Sequence, residues 1–173
     1  MKKIFFLLLL FPALLFSQGI MDDKTEFSRQ DTLRGSITKE RSWWDLNRYH
    51  LDITVKPEEK FISGSNKISY TVLESYDLMQ IDLQTPLKLT KATQDNSELE
   101  IIYDGNAHFI KLKKKQNIGS KEELVVYYEG NPRVAVRAPW DGGISWEKDK
   151  NGNHFIASSC QGLGASVWWP NKD

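Results

Sequence analysis

The sequence has a single cysteine, Cys160, so no disulfide can close within the chain and a core must hold by packing alone. A lone thiol can be a nucleophile. Without the His and Asn pattern of a thiol protease, however, Cys160 reads as a small buried hydrophobe. Histidine is nearly as scarce. His50, His108 and His154 are the only three, and none has a partner at the three- or four-residue spacing that sets two ligands on one helix face, so no metal site is expected in this chain. HExxH, a glycine-rich phosphate loop and a G-x-S-x-G elbow are all missing. So is an excess of charge of either sign: Lys plus Arg and Asp plus Glu both number 23. No net field would attract nucleic acid or an acidic membrane surface over a long range.

What is present begins with a basic start at Lys2 and Lys3, an apolar run from Ile4 to Phe16, and the small-x-small stretch Ser17-Gln18-Gly19. These are the three parts of a secretory signal peptide, expected over residues 1–19. The run is too short to span a bilayer, so no membrane span is expected after cleavage, and the product is expected in the periplasm or outside the cell. Residues 20–41 are polar with no sustained period and read as an extended arm. The domain proper is expected over 42–173, and 40% hydrophobic residues in a chain of 173 are enough for one core.

From Tyr49 the pattern changes. Tyr49, Leu51, Ile53 and Val55 alternate with His50, Asp52 and Thr54, the period of two that a strand with one buried face requires. Short β-branched or aromatic runs follow at 67–73, 78–83, 87–89, 99–103, 108–112 and 124–128, and turn residues such as Asp104-Gly105-Asn106 and Gly130-Asn131-Pro132 separate them. Asn151-Gly152, between Ile144–Trp146 and Phe155–Ala157, marks a β-hairpin. No stretch shows helical periodicity with caps. The expectation is an all-β, two-layer sandwich of many short strands.

Candidate chemistry is sparse. Asp45, Asp52, Asp82 and Asp141 sit among apolar residues and could supply the two carboxylates of a glycoside hydrolase, although a hydrogen-bonded structural Asp is much commoner. The tryptophans are more telling. Trp43-Trp44 and Trp168-Trp169 are adjacent pairs, and neighbouring strand residues point to opposite faces. One indole of each pair is expected in the core, while the other needs cover from a loop, a ligand or a partner protein.

An ordered set of segments is similar to one family. The segments are DTLRGSITKERSWWDLNRYHLDITV, ISGSNKISYTV with Gly64, MQIDLQTPLKL, VVYYEGNP, APWDGGISW and SSCQGLGASVWWPNKD. Together they resemble the N-terminal domain of the M1 zinc aminopeptidases, the group that includes aminopeptidase N and leukotriene A4 hydrolase, and in particular its secreted bacterial forms. The resemblance implies a saddle-like β-sandwich that packs against a thermolysin-like catalytic domain. It implies that Gln161 lines the substrate pocket, with Ser159 where many members have a second Gln. It also makes Trp168, Trp169 and Pro170 a seam against the catalytic domain. The zinc of the complete enzyme would be held by the HExxH of that domain, so no cofactor is expected in this chain, which would not hydrolyse peptides alone. Because the family continues beyond the motif at Pro170–Asp173, the catalytic half is expected to lie outside this chain. A stand-alone secreted module binding a peptide, a glycan or a protein is the alternative.

Overall fold

A computed structural model describes residues 26–173; the expected signal peptide and residues 20–25 lie outside the described residues. Strand β1 (Trp44–Lys56) pairs with β2 (Phe61–Val72) through a short 3-10 turn at Pro57–Glu59, with Lys60 in the left-handed region at φ 49°. β3 (Leu78–Asp82), β4 (Lys88–Gln94), β5 (Ser97–Glu98), β6 (Glu100–Asp104), β7 (Ala107–Lys111) and β8 (Lys121–Gly130) follow. Last come β9 (Gly143–Lys148) and β10 (His154–Ser159). Strand pairing is antiparallel throughout, in a five-stranded sheet ordered β1-β2-β8-β4-β5, a three-stranded sheet ordered β3-β7-β6, and the hairpin of β9 and β10.

The all-β class expected from the period-two runs is the one observed, and the core shows why. Ile68, Tyr70, Leu124 and Val126 of the larger sheet join Met79, Ile81 and Ile110 of the smaller one in a single buried cluster. Each such side chain stabilises the fold by roughly 1.5–3 kcal/mol relative to an exposed position. Along β1 the expected alternation is weaker: Tyr49, Leu51 and Ile53 are only half-buried and Val55 is exposed, β1 being an edge strand with no partner beyond it among the described residues.

Residues 29–42 depart from the expected extended arm, forming two short helices, α1 (Arg29–Gly35) and α2 (Lys39–Ser42). A capping box starts α1: the Ser28 hydroxyl accepts from the Asp31 amide, and the Asp31 carboxylate accepts from the Ser28 amide. With Leu33 the one buried residue of α1, the stretch lacks an apolar stripe for periodicity to reveal. These helices cover the outer face of β3, where Gln80 and Asp82 would otherwise meet water. Arg41 Nη2 donates to Asp82 Oδ2 at 2.6 Å, Arg41 Nη1 donates to the Arg34 and Ser36 carbonyls, and Gln80 Nε2 donates to the Leu33 carbonyl. Both members of the Arg41–Asp82 pair are almost fully buried.

Three further expectations need correction. Trp43 and Trp44 are both fully buried, where one was expected to lack cover. Trp43 closes α2 and alternation begins only at Trp44, so the two indoles enter the core from different elements, Trp43 donating to the Leu78 carbonyl and Trp44 to the Glu40 carbonyl. Cys160 is exposed, because β10 ends at Ser159 and the chain turns outward. In the β9–β10 hairpin the turn is organised by Asp149, whose carboxylate accepts from the Asn151 and Asn153 amides, so the loop is longer than a two-residue Asn-Gly turn.

Candidate functional site

After β10 the chain folds back on itself. The Cys160 carbonyl accepts from the Leu163 and Gly164 amides, and the turn depends on glycine: Gly162 has φ +70° and Gly164 φ +72°. A side chain at Gly164 would also run into the Asp173 carboxylate, 2.4 Å from the site of a Cβ. A 3-10 turn at Ala165–Val167 then leads to Trp168. Beyond it the chain is stitched to both sheets. Asn171 exchanges backbone hydrogen bonds with Asp82 along the open edge of β3, and Asn66 Nδ2, deep in the core, donates to the Pro170 carbonyl at 2.9 Å. The Lys172 amide donates to the Tyr49 hydroxyl, while its ammonium donates to the Trp44 carbonyl and lies 4.2 Å from the centre of the Trp44 ring. Burial lowers the Lys172 pKa and pushes that of Tyr49 up to about 12.

This anchoring decides where the expected seam residues lie. Pro170 is buried within the domain. Trp168 and Trp169 are half-buried: they meet edge-to-face at 6.1 Å, Trp169 meets Tyr49 at 4.8 Å, and both pack on the core cluster. Each indole therefore has one side held by the domain and some surface left over.

Of the two expected substrate residues, one faces solvent. Gln161 is exposed, and its side chain makes no hydrogen bond among the described residues, leaving the amide free to accept or donate. Ser159 is buried, paired in register with Gly143. Residues two apart share a face only within a strand, and β10 ends between them.

The most exposed indole is one that the pattern of adjacent pairs did not single out. Trp140 is 77% exposed, held by a tight loop ahead of β9. Asp141 organises this loop by accepting from the Val136 and Arg137 amides at 2.7 Å each, and those backbone donors hold its carboxyl below the usual range. Gly143, at φ +151°, lets the loop pass against β9, since a Cβ there would lie 2.6 Å from the Ala135 nitrogen. Val136, at 82%, and Phe155, at 61%, are further bare apolar side chains on this loop and the hairpin. The APWDGG stretch was the available signal: an aromatic between proline and turn residues is poorly placed to enter a core.

The carboxylates do not form a catalytic pair. Asp141 is committed to backbone amides and Asp82 to Arg41, burial raising the Asp82 pKa although Arg41 and Gln80 act against it. Asp45 and Asp52 lie on the exposed side of β1. Among the described residues no group of three His, Cys, Asp or Glu side chains could hold a metal ion, so the residues present do not fit a zinc site. His108 is buried, and His154 meets Glu58 at 3.0 Å on the surface. Among the described residues no helix is long and apolar enough to cross a membrane.

The chain matches no protein-family model and no curated protein. Its fold does match solved structures. The M1 zinc metallopeptidase from Deinococcus radiodurans is similar at 18% identity with a TM-score of 0.57, over 76% of this chain and 30% of that one. Yeast LTA4 hydrolase is similar at 16% identity and a TM-score of 0.60, over 76% of this chain and 21% of that one. In its complex with bestatin the yeast enzyme gives 15% identity and a TM-score of 0.63, over 88% of this chain and 23% of that one. This chain thus spans less than a third of the length of these proteins. Its fold is that of one part of an M1 zinc metallopeptidase.

Proposed function

We propose that this chain acts as the N-terminal β domain of a secreted M1-type zinc aminopeptidase, packing on a catalytic domain and helping to hold the substrate's amino terminus. The observation that carries the reading is the fold match, at TM-scores of 0.57 to 0.63 over three quarters or more of this chain. The basic and apolar stretches within residues 1–19 support export. Gln161 supports the substrate role, because a free α-ammonium offers three donors and an exposed amide oxygen can accept one. Trp140, Trp168 and Trp169 support the packing role, since indoles with uncovered surface are favoured anchors of protein interfaces. Zinc and its activated water would come from the catalytic domain.

The test is an aminoacyl-arylamide assay with zinc. The purified chain should give no turnover above buffer. Adding an M1-type catalytic domain should give turnover that Gln161→Ala reduces roughly 10- to 150-fold, the loss expected for one hydrogen bond to a charged group. Turnover by the chain alone, or indifference of the assembled enzyme to Gln161→Ala, would refute the reading. A second reading, a stand-alone binding module, is favoured by Trp140 and Phe155 being bare at 77% and 61%. A ligand held through those two residues with no catalytic domain present would establish it.

A further inference from the structure

The hairpin of β9 and β10 has an edge that the rest of the fold does not protect. β10 pairs only with β9 among the described residues, so every second residue of His154–Ser159 turns its N–H and C=O away from a partner. Other open edges are blunted. β1 carries Asp45, Arg48, Asp52 and Lys56, β6 carries Glu100 and Asp104, and Asn171 bridges the edge of β3. Charged side chains and covering segments are the usual means of keeping a foreign strand off a sheet edge. β10, reading HFIASS, contains no Asp, Glu, Lys or Arg.

A cavity lies against the face of this hairpin that carries Ile156. It has a volume of about 190 Å³, and its walls include Ile53 of β1, Ile62 of β2, Ile144 and Trp146 of β9, Ile156 and Ser158 of β10, and Trp168. Ile156 and Ser158 are two residues apart, so they share a face of β10. A strand laid beside β10, about 4.8 Å away, would turn alternate side chains toward the same side. The cavity has room for one aromatic or branched side chain, since apolar cavities of about 150 Å³ hold benzene. Glu58, which meets His154 Nε2 at 3.0 Å, places one carboxylate at the start of β10; beyond it, unpaired backbone on an edge with no Asp, Glu, Lys or Arg, beside an apolar pocket, is the arrangement by which sheet edges bind extended peptides.

We infer that the β10 edge binds an extended peptide with an apolar anchor residue, which adds as an antiparallel strand. In that direction the peptide's amino terminus lies toward the end of β10 from which the chain runs on to Gln161. The inference deepens the proposed substrate role and rests on it only for what Gln161 does. A second copy of this chain fits the edge less well, because two β10 strands paired with each other would leave the pocket without a large side chain: Phe155, the remaining large apolar residue of β10, alternates to the opposite face from Ile156.

The experiment follows backbone amide shifts of the purified chain during titration with a hexapeptide of alternating leucine and threonine. Three probes are compared: the free peptide, its N-acetylated form, and a form N-methylated at alternate residues. Binding with shifts centred on 154–159, weakened at least about tenfold by N-methylation as several main-chain hydrogen bonds are lost, upholds the strand site. N-methylation leaves the protein unaltered, so this arm does not depend on how a variant folds. Ile156→Lys, which puts a charge on the edge and into the pocket, should abolish the shifts. Peptide binding that ignores N-methylation, shifts elsewhere, or no binding at millimolar peptide would overturn the inference. So would concentration-dependent dimerisation that Ile156→Lys abolishes, which would assign the edge to a second copy. Binding sensitive to N-methylation but not to acetylation upholds the strand site and removes the Gln161 role.

Discussion

Arg41→Ala should be among the most destabilising single changes in this domain. Its guanidinium donates to the Asp82 carboxylate at 2.6 Å and to the Arg34 carbonyl at 2.8 Å, in a layer where both charged side chains are about 95% covered. Truncation leaves the buried Asp82 carboxylate with Gln80 Nε2 as its one close side-chain donor, and takes the guanidinium away from the Arg34 and Ser36 carbonyls. Breaking a buried pair from one side costs about 3–5 kcal/mol, because the remaining charge has lost both water and partner. In a chain of 173 residues each kcal/mol is worth roughly 2–4 °C, so the midpoint of thermal unfolding should fall by about 6–20 °C. The double variant Arg41→Met with Asp82→Leu removes both charges and should stay within about 2 kcal/mol of the parent. Urea unfolding of the parent, both single variants and the double variant would measure the coupling. If Arg41→Ala costs less than 1 kcal/mol, or if the two single changes simply add, the reasoning is wrong: the helices would not be held to β3 by this pair.

Other predictions follow from single contacts. Gly64→Ala drives a Cβ into the Asp52 carbonyl oxygen of β1, a backbone atom that cannot rotate away, and should cost at least about 2 kcal/mol in urea unfolding. His108 is held neutral because burial lowers its pKa below the ordinary value. The unfolded chain takes up that proton near pH 6.5, so stability is level above this and falls below it, by up to about 1.4 kcal/mol per pH unit until the folded pKa is reached. A parallel series between pH 5 and 7.5 on His108→Phe should lack this component. Trp140→Ser should change stability by no more than about 0.5 kcal/mol, yet weaken binding to a catalytic domain about thirtyfold by calorimetry.

The strands were legible because a half-buried strand writes its geometry into every second residue, as Ile68, Tyr70 and Val72 do along β2. Helix α1 was not, although Ser28 and Asp31 spell its capping box, because seven residues with one buried side chain carry too little period to separate from a loop. The fate of Trp43 and Trp44 turned on Trp43 capping α2 while Trp44 opens β1, and that could not be read without placing α2. At the candidate site the sequence marked Gln161 and the terminal indoles by resemblance. It could not show that Ser159 is buried, since this depends on β10 ending one residue before Cys160. Nor could it show that Trp140 is bare, which depends on Asp141 closing the loop beneath it.

The central proposal is that Trp140, Trp168 and Trp169 sit against a zinc-bearing catalytic domain. Hydrogen–deuterium exchange of the purified chain, with and without an M1-type catalytic domain, tests it most directly. The account predicts a one-to-one complex in which exchange slows at 134–142 and 165–170. Failure to form a complex, or a complex that leaves exchange in both segments unchanged, would contradict it.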